Sequence, residues 1–192
     1  IDDYVDIGNP PALDSIQEVT LEAWVKTSCD GSNDARGIIT KVWGWGVDGA
    51  YRLAMDGSSC SYIDYYANCD TGECSLTSNA TVNDGRWHHV VVTHDDTCGI
   101  RIYIDGALDK EDSTKTPAFK TGANVQIGSW DNSAYPERFF NGTIDEVRIY
   151  NRSLSAEEIK MHYLSEFQKY NSAQYGFYNS ITDLTNGTYT YY

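Results

Sequence analysis

Basic residues are scarce in this sequence: 14 Lys and Arg stand against 28 Asp and Glu, a formal charge of −14 over 192 residues. Nucleic acid is excluded as a partner by that balance, because phosphate contacts need a clustered face of Lys and Arg. Runs of about eighteen apolar residues, the minimum for a membrane helix, are also missing. The first ten residues, IDDYVDIGNP, carry neither the basic nor the apolar region of a signal peptide. No Gly-X-Ser-X-Gly elbow occurs, and no histidine sits at zinc-ligand spacing from a cysteine. What remains open is a globular chain long enough for one sizeable core.

Five cysteines, Cys29, Cys60, Cys69, Cys74 and Cys98, lie beside Gly, Asp and Ser in loop-like stretches. Disulfides are the better reading, and they imply an oxidising compartment, hence an extracellular or cell-surface location. Asn-X-Ser/Thr sequons begin at Asn79, Asn141, Asn151 and Asn186, consistent with export as a glycoprotein.

Short segments of alternating apolar and polar residues, separated by Gly, Asn, Asp and Ser, predict strands near 4–7, 19–26, 37–41, 51–56, 62–67, 86–94, 100–105, 124–128 and 144–150. The fold class expected is all-β, a sandwich of two antiparallel sheets. In the hairpin WHHVVVTHDDTCGIRIYIDG, Val90, Val92 and His94 face one way and Val91 and Thr93 the other. One short C-terminal helix is signalled by Ser155 as N-cap with Glu158 three residues on, and by Leu154 and Ile159 at staple positions. Ile159, Tyr163, Leu164 and Phe167 give it an apolar stripe. Residues 1–168 are expected to form the sandwich. The Tyr/Thr-rich stretch 169–192 reads as the start of a further β-domain or as a strand exchanged with a neighbouring copy of the chain.

The motifs DDYVDIGNPPAL, VTLEAWVK, GIITK, YRLAMDG, DGRWHHVVVTHD, IRIYIDGAL, VQIGSW and FNGTIDEVRIYNRSLSAEEI, in that order over about residues 1–165, resemble laminin-G-like domains of the concanavalin A-like lectin and glucanase superfamily. The resemblance implies a jelly roll used for recognition or adhesion. Trp24 and Trp87 then read as core residues. A face switch or bulge is expected near Asp145–Glu146, since Ile144, Val147 and Ile149 do not share one alternation.

Several site readings follow. The resemblance implies a structural calcium bridging Asp2 or Asp3 on the first strand to Asp145 near the end; the plainer alternative is solvated acids. Carbohydrate would be taken on exposed rings of two Gly- and Asn-laced loops, Trp43, Trp45 and Asp48 in one and Trp130 and Tyr135 in the other, unless those rings fold back over the sandwich. A surface protein is the other partner class. Catalysis is not expected. Glycoside hydrolysis needs two carboxylates on one strand face, and IDEVRIY places Asp145 and Glu146 on opposite faces. His88, His89 and His94 read as packed strand residues. With strands running up and down in order, Cys29 falls near Cys60, while Cys60 and Cys69 are a strand's length apart. The expected pairs are Cys29–Cys60 and Cys69–Cys74, with Cys98 left over.

Overall fold

The computed structural model describes residues 3–14, 16–29, 36–43, 48–130, 138–165, 168–170 and 174–176, and side chains in all of these but 42, 43, 48, 49 and those from 168 onward. Its strands are β1 (Val5–Gly8), β2 (Val19–Lys26), β3 (Arg36–Trp43), β4 (Asp48–Met55), β5 (Tyr62–Cys69), β6 (Gly72–Thr81), β7 (Trp87–Asp95), β8 (Gly99–Ile104), β9 (Ala107–Asp112), β10 (Val125–Ile127) and β11 (Thr143–Tyr150). Helix α1 (Ala156–Ser165) follows, and then the short hairpin β12 (Gln168–Tyr170) and β13 (Gln174–Gly176).

Two antiparallel sheets stack into a sandwich. One is six-stranded, in the order β1-β10-β3-β4-β5-β6; the other is five-stranded, β11-β2-β7-β8-β9. The two-sheet class read from the sequence is therefore correct, but the simple up-and-down order is not, because β2 and β3 belong to different sheets. β6 and β9, absent from the expected strands, are the two sheet edges at one side. Their sequences GECSLTSNAT and ALDKED are polar because an edge needs no continuous apolar alternation. Asp109 on β9 closes that side. Its Oδ2 accepts the Asn79 N–H at 2.6 Å and its Oδ1 the Ala80 N–H at 3.0 Å.

The core fills the space between sheets: Leu21, Ala23 and Val25 from β2, Val90 and Val92 from β7, and Leu53, Ile63 and Tyr65 from the facing sheet are all buried in one cluster. A buried lysine, Lys41, ties β3 to the segment before β2, with Nζ 3.0 Å from Asp14 Oδ1 and 2.6 Å from both Asn9 Oδ1 and the Ala123 carbonyl. The Cys29–Cys60 disulfide joins the end of β2 to the β4–β5 connection, crossing between sheets, and Cys69–Cys74 spans the β5–β6 hairpin. Cys98 is a free thiol.

Helix α1 starts at a capping box. The Glu158 N–H donates to Ser155 Oγ at 3.2 Å and the Ser155 N–H to Glu158 Oε2 at 2.9 Å. Leu154 and Ile159 pack with Val91 and Tyr103 in a second cluster on the outer face of the five-stranded sheet. The stripe is narrower than expected. Leu164 is exposed, Met161 is exposed beside it, and Phe167 lies outside the described residues. Trp24 is buried as expected, but on the outer face of its sheet rather than between the sheets, its ring stacked on Tyr163 at 5.7 Å between centroids. Trp87 is only half-buried.

Candidate functional site

Directly opposed residues of an antiparallel pair share a sheet face. Gln126, Thr40, Arg52, Tyr66 and Ser75 are paired in that order across β10, β3, β4, β5 and β6, so they form one row. The adjacent row holds Ile39, Leu53, Tyr65 and Leu76, which are core, so the Arg52 row lies on the outer face of the six-stranded sheet. Over it folds Trp130. The Arg52 guanidinium sits 4.3 Å from the Tyr66 ring centroid and 4.0 Å from that of Trp130, and Arg138 stacks on Trp130 at 4.2 Å. The result is a ladder of ring and guanidinium planes.

The ladder is dry inside and open at its ends. Arg52 and Trp130 are buried, 6% and 5% exposed, whereas Tyr66, Arg138, Gln126 and Thr77 are half-exposed and Ser75 is exposed. Arg52 Nη2 lies 3.9 Å from Asp64 Oδ2, and Asp64 Oδ1 accepts the Thr77 hydroxyl at 2.8 Å. Burial nonetheless raises the Asp64 carboxyl above its ordinary value and lowers the Arg52 guanidinium below its own. Among the described residues Arg52 Nε and Trp130 Nε1 have no hydrogen-bond partner. A gathering of cations and rings in so acidic a chain, with unpaired N–H groups within it, is the most binding-like surface among the described residues.

On the opposite sheet, Glu22 faces α1 and is fully buried. His89 Nε2 donates to it at 2.9 Å, Arg148 Nη1 at 2.9 Å and His162 Nδ1 at 3.0 Å. Burial alone would raise the Glu22 carboxyl, but His89 and then His162 outweigh it and hold it below the ordinary value. Its neighbours are N–H donors rather than a second carboxylate, so it is a structural anchor for α1. The sequence reading missed Glu22. A glutamate amid VTLEAWVK reads as an outward residue, and only the helix covering that face buries it.

The β1–β11 side of the sandwich is open. A cleft of about 220 Å³ is lined there by Asp3, Tyr4, Val5, Ile127, Gly128, Phe140, Gly142 and Ile144. Tyr4, Val5 and Ile7 are 46%, 56% and 49% exposed.

The expected site residues scatter. Trp130 is not the exposed platform expected, since it is buried with two guanidinium groups over its ring. Trp43 and Asp48 are paired across the β3–β4 hairpin, while Trp45 and Tyr135 lie outside the described residues. Asp3 reaches the β1 rim, and Asp2 lies outside the described residues. Asp145 is paired with Trp24, on the α1 side of its sheet, and its Oδ1 accepts the Glu146 N–H at 2.8 Å. The bulge expected beside it is present between Asp145 and Arg148, with Glu146 at φ 51°. Asp3 and Asp145 therefore do not converge into an oxygen cage of their own. Among the described residues one set of three His, Cys, Asp or Glu side chains brings ligand atoms within 4.8 Å, Cys69, Cys74 and His94, and its sulfurs are bonded to each other. Asn79, Asn141 and Asn151 are exposed, and Asn186 lies outside the described residues.

Comparison with known proteins agrees with this architecture. A laminin G family model, described as the concanavalin A-like lectin/glucanases superfamily, matches residues 1–160. Human adhesion G-protein coupled receptor D1 is 30% identical over 157 residues, covering 79% of this chain and 17% of that protein. The mouse sushi, von Willebrand factor type A, EGF and pentraxin domain-containing protein 1 is 26% identical over 162 residues, covering 78% of this chain and 4% of its own length. The chain thus spans a small part of these relatives. Among solved structures, the heptameric SAP-like pentraxin of Limulus polyphemus superposes with a TM-score of 0.59 at 13% identity, over 83% of this chain and 81% of that one. A structure of botulinum neurotoxin type C, whose cell entry depends on interaction with two ganglioside molecules, gives 0.60 at 13% identity over 83% and 39%. At such identities these two show the fold alone.

Proposed function

Because this chain belongs to the concanavalin A-like lectin/glucanases superfamily, we propose that it is a non-catalytic recognition and adhesion module working at or outside a cell surface, and that it takes carbohydrate on the outer face of its six-stranded sheet. The observation that carries this is the ladder Tyr66–Arg52–Trp130–Arg138 with the polar side chains of Gln126, Ser75 and Thr77 around it. Sugars offer hydroxyl acceptors and donors to such polar groups and apolar faces to rings. The adhesion name of the human receptor, 30% identical, supports a binding role. A surface protein bearing carboxylates on a sheet-like patch is the second reading, favoured by the same guanidinium groups. Screening the domain against immobilised glycans tests the first. Arg138→Ala and Tyr66→Ala are expected to weaken the selected ligand about tenfold each, the loss of roughly 1.4 kcal/mol of stacking or charge-assisted bonding. A ligand whose affinity ignores both substitutions overturns the placement.

Calcium at the β1 rim is a further proposal. With Asp145 turned to the other face, an ion there would draw on Asp2, Asp3 and backbone carbonyls to reach its six to eight oxygens. Adding calcium to chelator-treated protein should raise Tm; an unchanged Tm at millimolar calcium removes the ion from the account. Residues 169–192 are proposed as the start of a further β-domain or as an exchanged strand, on the strength of their β-prone composition.

A further inference from the structure

We propose that Asn141 carries an N-linked glycan whose first sugars lie in the cleft between β1 and β11, and that this glycan is what covers the open side of the sandwich. Three observations converge on it. The sequon Asn141-Gly142-Thr143 stands at the lip of the cleft, for Phe140 on one side of Asn141 and Gly142 on the other both line it. Asn141 is exposed, and its backbone is held by the Thr27 hydroxyl, which donates to the Asn141 carbonyl at 2.5 Å. No side-chain hydrogen bond engages its amide among the described residues, whereas the Asn79 amide is already donating to the Asp109 carbonyl at 2.8 Å.

The third observation is what lies uncovered. Among the described residues β1 is a sheet edge that pairs on one side only, with β10, and Val5 and Ile7 on it and Tyr4 just before it are exposed, interrupted by the single charge of Asp6. An edge strand so apolar invites pairing with another chain, and natural sheets guard such edges. The other side of the sandwich is guarded by the Asp109 bonds between β9 and β6. On the β1 side the chain supplies no comparable cover among the described residues, and a bulky, solubilising saccharide anchored between Phe140 and Gly142 does so. The Tyr4 ring, 5.9 Å from Phe139 between centroids, and the Phe140 ring give it apolar faces to lie on, and Asp3 an acceptor for its hydroxyls.

The covalent step is a glycosyl transfer from a lipid-linked phosphate sugar donor. Asn141 Nδ2 bonds to C1 of the first sugar and gives up one proton, while the bond from C1 to the donor's phosphate oxygen breaks and the phosphate leaves with the electron pair. Nothing is oxidised or reduced.

The test is expression in a host that N-glycosylates, followed by glycopeptide mass spectrometry and by mapping nitration of Tyr4 with tetranitromethane on the folded protein. Asn141 is expected to be occupied. Enzymatic release of the glycan from the folded wild type should raise Tyr4 nitration several-fold, as should Thr143→Ala. Thr143→Ser, which keeps the sequon, should restore protection, and Asn151→Gln, at the far end of β11, should leave it unchanged. An unoccupied Asn141, or a Tyr4 equally reactive before and after glycan release, overturns the proposal. Because release acts on protein already folded, the outcome does not depend on any variant folding, and it is independent of whether the outer sheet face binds carbohydrate.

Discussion

Glu22 is the residue on which the helix side of the molecule turns. A fully buried carboxylate survives only with its charge answered, and here His89, Arg148 and His162 answer it from β7, β11 and α1. Glu22→Gln leaves those donors around a neutral amide, and the loss expected is about 3 kcal/mol, read as a lower urea midpoint at pH 7. Two histidines set opposing pH trends. Burial pushes His94 down from 6.5 to about 4, so between those values the unfolded chain binds a proton the folded one refuses, and stability is lost as pH falls. That shift is worth about 3 kcal/mol. His88 is raised by its bond to Asp105, then by Asp84, so its contribution is present at low pH and is lost as pH rises through its folded value. The urea midpoint should drop from pH 7 to pH 4.5 in the wild type and drop less in His94→Gln; equal slopes would remove His94 as the cause. The packed character of His89 and His94 was legible from their strand, but their partners were not. Glu22 comes from the neighbouring strand β2, Asp105 from the β8–β9 turn, and Tyr65 reaches His94 across the space between the two sheets.

At the scale of elements, local chemistry was readable and long-range placement less so. The Ser155–Glu158 box and the β7–β8 hairpin depend on neighbours within a few residues, and both formed as their residues dictate. Edge strands β6 and β9 escaped because their burial is partial and their composition polar, although each forms a tight hairpin with the strand before it. Ser155→Ala should cost about 1 kcal/mol, the ordinary loss of an N-cap, and thermal melting measures it. The Cys29–Cys60 pairing followed from both cysteines standing at one end of the strands, which held even though the strand order did not. It closes 31 residues of chain, and replacing both cysteines by serine should lower stability by about 3–4 kcal/mol. An unchanged melting curve would show that the intersheet link constrains nothing.

For the molecule as a whole, the site was the least legible part. Trp130 was visible as an aromatic beside a loop, but a sequence does not show that arginines from β4 and from residue 138 would pack over its ring. Nor does a formal charge of −14 suggest that guanidinium groups collect on one sheet. On the proposed placement, recognition at that face works against the molecule's overall field, and binding of an anionic ligand should strengthen with added salt until the net repulsion is screened. The most direct test of the account is a ¹H–¹⁵N titration of the folded domain with its glycan-array ligand. The account predicts shifts at the Trp130 indole N–H and at the Tyr66, Ser75 and Thr77 amides. Shifts confined to β1 or to α1, with the Trp130 indole unmoved, would contradict it.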